Sequence, residues 1–95
     1  MRVSITIPCR NEEKYIANCL QSIVDCEYPK DLLEVFVCDG MSDDDTVDII
    51  KQFATKHPFI HLLQNELQTT QFALNLGIKA SNADIKIILG AHSEI

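Results

Sequence analysis

Four short apolar runs, VSITIP (3–8), LLEVFVC (32–38), FIHLL (59–63) and IKIIL (85–89), are separated by stretches whose apolar residues recur with a helical period. The second run is almost continuously apolar, as a strand covered on both faces must be, and the third and fourth runs repeat the theme, so the fourth strand is also expected to be buried. In the first intervening stretch Ile16, Cys19, Leu20 and Ile23 fall at i, i+3, i+4 and i+7, one buried stripe of a helix. Val47, Ile50 and Ala54 form a second inward face. A third helix is expected from about Gln68 to Ser81, with Phe72, Ala73, Leu76 and Ala80 inward. Strands alternating with helices imply β-α-β units with right-handed crossovers. The expected fold class is therefore α/β, a mainly parallel sheet of four strands with three helices. YPKDL and KHPF, each with a proline, are the expected turns.

A parallel sheet delivers the loops after its strands to one edge, and ligands of open α/β sheets bind there, where the strand order reverses. If the second and fourth strands flank the first, the segments Pro8 to Glu12, Asp39, and Gly90 to His92 share that crevice. Asp39, Asp43, Asp44, Asp45 and Asp48 crowd the second of these loops. A calcium loop starting at Asp39 fails, because Met41, Asp43, Asp44 and Ile50 occupy its third, fifth, sixth and twelfth positions. Ser42 with Asp45 resembles a capping box, and acids near a helix N-terminus are favoured by about 0.3–1 kcal/mol each. Asp43, Asp45 and Asp48 are read as such capping charges. Asp39 lies outside that helix, and two roles stay open for it: a ligand contact, or a strand-end cap of the turn at Gly40 and Met41.

At 46% hydrophobic content the chain can bury a core, and its 95 residues make one domain at most. A net charge of −6 with no basic stripe argues against nucleic acid as a partner. The four cysteines form no C-x-x-C pair, and Cys19 and Cys38 read as buried thiols. No apolar run is long enough to cross a bilayer and no signal segment is evident, so the cytoplasm is the expected location. With three glycines and no glycine-rich phosphate motif, a nucleotide here would be held by side chains and a cation.

Three blocks, VSITIPCRNEEKYIANCLQSI, LEVFVCDGMSDDDT and ALNLGIKASNADIKIILGAHSEI, together resemble the amino-terminal half of a family 2 glycosyltransferase of the GT-A fold. The likeness is nearest to the bacterial exopolysaccharide (succinoglycan-type) branch, whose second strand ends in D-G-M-S-T-D-G-T and whose fourth ends in a D-A-H variant of D-x-D. It implies that the loop Pro8, Cys9, Arg10, Asn11 and Glu12 lines a nucleoside pocket. It also implies that Asp39 accepts a hydrogen bond from uracil N3–H. Arg10 would meet a phosphate. Glu12 would reach the ribose or base, or else stand as an acid in the first turn of the first helix. Asn75 and Gly77 match the A-x-N-x-G pattern of the third helix, a packing feature.

Two departures bear on the chemistry. NELQTTQFALN offers glutamine and threonine where the family carries a basic residue near the diphosphate, and the D-x-D slot reads Gly90-Ala91-His92. Gly90 and Ala91 can line the nucleotide site only through backbone, leaving His92 as the candidate ligand for a divalent cation, manganese or magnesium; otherwise it is an exposed histidine. His57 and His61 read as surface and strand residues. The family's catalytic base lies downstream, so no catalytic residue is assigned. The expectation is the nucleotide-sugar-binding part, residues 1–95, of a longer inverting transferase that uses a UDP-sugar and a saccharide or lipid-linked acceptor. That longer protein is expected to associate peripherally with the inner face of the membrane.

Overall fold

The computed structural model describes residues 1–66 and 70–91, the side chains of 70–72 excepted. Strand β1 (Val3–Cys9) lies between β2 (Leu33–Asp39) and β4 (Ile85–Ile88), and β3 (Ile60–Gln64) pairs with β2, giving the order β3-β2-β1-β4. Every pairing is parallel. Helix α1 (Ile16–Asp25) joins β1 to β2, α2 (Thr46–Lys56) joins β2 to β3, and α3 (Thr70–Ala80) joins β3 to β4. The α/β reading of the sequence holds, and so does the placement of β2 and β4 on opposite sides of β1.

Strand alternation sorts the sheet's two faces. Ile5, Ile7 and Cys9 of β1 and Leu33, Val35 and Val37 of β2 form one core with Ile16, Cys19, Leu20 and Ile23 of α1 and Ile50 of α2. The α1 stripe is buried as its spacing requires, and full burial of each such isoleucine or leucine is worth about 1.5–3 kcal/mol. In α2 the inward face is turned slightly from expectation: Thr46 and Ile50 are buried and Ile49, Phe53 and Ala54 pack at the margin, while Val47 is half-buried.

Helix α3 packs on the opposite face, against β1 and β2. Ala73 and Gly77 are buried there, and a Cβ on Gly77 would lie 2.2 Å from Thr6 Oγ1. Gly77 is thus a packing residue, the point where the helix backbone rides on the central strand. Leu76 is half-buried, Ala80 is exposed at the helix end instead of inward, and the side chain of Phe72 lies outside the described residues.

The fourth strand departs most from the sequence reading, which took it as buried. Ile85, Ile87 and Ile88 are 42%, 43% and 58% exposed. Apolar content alone cannot bury a strand: β4 is an edge strand, and the helices pack over the strands beside it. His57 and His61 have aromatic neighbours. His61 stacks on Phe36 at 5.3 Å, and His57 lies against the rings of Phe53 and Phe59. Among the described residues no helix is long and apolar enough to cross a membrane.

Candidate functional site

The parallel register brings Cys9, Asp39 and Gln64 level at the carboxyl edge of the sheet. Backbone bonds close the edge: Gly40 N donates to Cys9 O at 2.8 Å, and Asn65 N donates to Asp39 O at 2.7 Å. On the other side of β1, Leu89 N donates to Thr6 O at 3.0 Å. The next residues turn under α1, where the Cys19 thiol approaches Gly90 O at 3.9 Å and Ala91 is buried in the core. The three strand-tip loops therefore share one edge, as the topology requires.

Two of these loops are stitched together. Asn11 N donates to Ser42 Oγ at 2.8 Å, Glu12 N to Thr46 Oγ1 at 2.9 Å, and Glu13 N to Asp44 Oδ2 at 3.4 Å. In return Asp43 N donates to Asn11 Oδ1 at 2.8 Å and Asp45 N to Glu13 Oε2 at 3.3 Å. Three successive amides ahead of α1, the kind of array that elsewhere cradles a phosphate, are thus spent on the neighbouring loop. Asn11 and Met41 adopt left-handed backbone, with φ of 53° and 63°. Asparagine tolerates this conformation; methionine at such a φ is strained and persists because the surrounding bonds determine the turn.

Asp39 has no exposed surface. Its Oδ2 accepts the Ser42 amide at 3.1 Å and its Oδ1 accepts the Ser42 hydroxyl at 2.5 Å. The Cys9 sulfur lies 4.0 Å from Oδ1. Burial, followed by the charges of Asp39 and Glu12, pushes the Cys9 thiol up to about 12, so it stays protonated at neutral pH and is no nucleophile. Burial likewise raises Cys38 to about 11.

The expected capping box is not formed. Asp45 holds the N-cap position of α2 without a side-chain bond, and Ser42 turns back to Asp39. Asp44 takes over: its Oδ1 accepts Thr46 N at 3.0 Å and the Thr46 hydroxyl. That hydroxyl, with the Thr46 and Glu13 amides, holds the Asp44 carboxyl below the usual aspartate value. The sequence places Ser42 in a capping box, Asn11 in a pocket-lining loop and Asp44 among the acids ahead of α2; that these residues and Thr46 tie the two loops together was missed, and its signal was small polar residues directly after two adjacent strand ends.

Of the expected ligand residues, Pro8 and Glu12 are half-buried, Cys9 is buried, and Arg10 is exposed with its stem along Gly40. Glu12 precedes α1, whose first turn carries no acid; its carbonyl accepts the amides of Tyr15 and Ile16. Gly90 and Ala91 bring no side-chain donor, and His92 lies outside the described residues. Among the described residues no group of three or more His, Cys, Asp or Glu could hold a metal ion, so they do not make a cation site by themselves. A hollow of about 170 Å³ elsewhere, between α1 and α2, is lined by Gln21, Gln52, Phe53, Lys56 and His57 and brings together no acid or nucleophile.

The family profile described as Glycosyl transferase family 2 matches residues 4–95. The chain belongs to the family 2 glycosyltransferases. A Methanococcus voltae transferase, dolichyl N-acetyl-alpha-D-glucosaminyl phosphate 3-beta-D-2,3-diacetamido-2,3-dideoxy-beta-D-glucuronosyltransferase, is 45% identical over 93 residues, covering 96% of this chain and 29% of that protein. The Staphylococcus aureus TarS structure superposes with a TM-score of 0.91 at 26% identity, over 100% of this chain and 28% of that one. TarS has also been solved with UDP and with UDP-GlcNAc. The mannosyltransferase PcManGT of Pyrobaculum calidifontis, in complex with GDP-Man and Mn2+, gives a TM-score of 0.90 at 30% identity, over 98% of this chain and 28% of that one. This family 2 chain therefore spans under a third of the length of the relatives it matches. Its parallel sheet and three helices are those of its GT-A neighbours.

Proposed function

We propose that this chain is the donor-binding part of an inverting glycosyltransferase, which transfers a sugar from a UDP-sugar to a saccharide polymer or lipid-linked acceptor. One observation carries the reading: Asp39, an acid buried at the tip of β2, sits where the loops after β1 and β4 reach the same edge. Uracil presents N3–H between two carbonyls, and a carboxylate at that depth selects it. Because Asp39 is covered, the base reaches it only as the side chains above it yield, and Arg10, exposed beside Gly40, is placed to move toward the diphosphate.

The UDP and UDP-GlcNAc complexes of TarS support a uridine donor. The dolichyl-phosphate name of the Methanococcus relative and the poly(ribitol-phosphate) name of TarS support a lipid-linked or polymeric acceptor, of which a bacterial exopolysaccharide is one form. In the full-length enzyme the acceptor oxygen attacks the anomeric carbon, a base beyond the described residues takes its proton, and the nucleoside diphosphate leaves with the bonding pair. A divalent cation would need ligands outside the described residues, with His92 the nearest candidate in sequence. A cytoplasmic location with peripheral membrane contact belongs to the same proposal.

Calorimetry on the full-length protein tests it. UDP binding should weaken at least about tenfold in Asp39→Ala, the weight of one charge-assisted hydrogen bond. Equal binding by that variant removes the assignment. The lack of a carboxylate at Gly90 favours a second reading, a nucleotide-binding module without turnover. Release of labelled sugar from a UDP-sugar by the full-length protein would dismiss it.

A further inference from the structure

Ser42 bonds both Asn11 and Asp39, and so stands where it can control what Asp39 presents to a ligand. A serine hydroxyl has a single proton and two acceptor lone pairs. Asn11 N donates to Ser42 Oγ at 2.8 Å, and an amide can only donate, so one lone pair is occupied. The single hydroxyl proton is then directed to the other neighbour, Asp39 Oδ1, 2.5 Å away. The Ser42 amide meets Oδ2 at 3.1 Å. The Cys9 thiol, held protonated by burial, also faces Oδ1 at 4.0 Å. Ser42 and Cys9 both direct hydrogens at this carboxylate, the hydroxyl and the thiol at Oδ1 and the Ser42 amide at Oδ2.

We infer that Ser42 is a positioning and specificity-determining residue: oriented by the Asn11 amide, it fixes Asp39 as an acceptor whose Oδ2 faces the base, so that a ring N–H donor such as uracil N3–H is admitted and an acceptor edge such as cytosine N3 is refused. The inference rests on the donor-site reading and adds the reason for its base selectivity. Uracil and cytosine have nearly the same shape, so discrimination depends on hydrogen-bond polarity. A carboxylate free to rotate, or able to carry a proton toward the base, loses that polarity. The left-handed Asn11, which aims its amide at Ser42 while its Oδ1 holds Asp43 N at 2.8 Å, locks the hydroxyl from outside the β2 loop. The discriminating device is thereby shared between two loops, which explains why they are joined at this point.

The test is the ratio of UDP to CDP affinity, measured by calorimetry on the full-length protein. A loss of stability alone weakens both nucleotides together and leaves the ratio unchanged. Ser42→Ala should cut the preference for UDP about tenfold, and Ser42→Thr, which keeps the hydroxyl, should restore it. Should Ser42→Ala weaken both nucleotides equally while Asp39→Asn shifts the ratio, the positioning role is overturned and the donor site stands. A ratio that neither variant moves removes the donor-site reading itself. An independent readout needs no variant: in a nitrogen-15 titration of the wild type, saturating UDP should move the Ser42 amide resonance, since that amide shares Oδ2 with the base, and CDP should not. A Ser42 resonance unmoved by bound UDP overturns the inference.

Discussion

Cys9 and Asp39 are register partners at the tips of β1 and β2, and the thiol sulfur of one lies 4.0 Å from the carboxylate Oδ1 of the other. The pair has no counterpart in local sequence, being 30 residues apart. It places a protonated thiol beside the acid on which the proposed donor site turns, and its electrostatics are measurable.

Burial raises the Cys9 thiol from 9.0 to about 12, so between those values the unfolded chain releases a proton that the folded chain retains. Ionisation then favours unfolding. Stability from this group is complete below pH 9 and is lost as pH climbs toward 12. The unfolding free energy of Cys9→Ala between pH 9 and 11 should fall less steeply than that of the wild type, by up to about 1.4 kcal/mol per pH unit. Parallel slopes for the two proteins would contradict the assignment.

The depressed Asp44 carboxyl works in the opposite direction. Its contribution is present above the ordinary aspartate value of 3.8 and disappears as pH falls through the lower folded value. Asp44→Ala should lower the thermal midpoint at pH 7, by releasing both the start of α2 and the Glu13 amide, and should flatten the acid limb of the melting profile. A variant that melts with wild-type dependence below pH 4 would show that Thr46 does not hold this acid.

Gly77→Ala tests the seating of α3. The added Cβ meets Thr6 Oγ1 at 2.2 Å and Thr6 Cβ at 2.9 Å, both too close to tolerate without movement. Destabilisation of about 1–3 kcal/mol is expected, as for other overpacked cores. Combining it with Thr6→Ala should recover part of the loss, because the nearest clash is removed while the Cβ clash remains. Additive losses in urea denaturation would locate the strain elsewhere.

The exposed isoleucines of β4 predict association. Ile85 and Ile87 on one face and Ile88 on the other border an open strand edge, the usual template for edge pairing. Light scattering of the 95-residue chain should show concentration-dependent oligomers. Ile85→Lys with Ile87→Lys should raise the required concentration about tenfold, as charge on an edge does. A monomer at every concentration would mean that this edge is protected.

Strand and helix identity was legible because both depend on short-range periodicity. The α1 stripe of Ile16, Cys19, Leu20 and Ile23 is buried residue for residue, and β2 is covered on both faces, Glu34 apart, as its almost continuous apolar run demands. The same logic misjudged β4, whose apolar residues are equally suited to a buried strand, because cover is supplied by neighbours and not by the strand. It also misplaced the cap of α2: Ser42 and Asp45 have the right spacing for a box, but Ser42 is drawn to Asp39 and Asp44 does the capping.

The alternation of runs and stripes along this chain was enough to establish a parallel α/β sheet and to bring Asp39 to its carboxyl edge, since the pleat and the helix turn repeat over a few residues and crossovers have one hand. The packed fold alone decided that Asn11, Ser42 and Asp39 form one chain of hydrogen bonds, with the Ser42 hydroxyl on Oδ1 and its amide on Oδ2. Hydrogen bonds act over about 3 Å, the Asn11–Ser42 bond joins groups 31 residues apart, and nothing in a linear pattern encodes which of several nearby polar side chains wins such a contact.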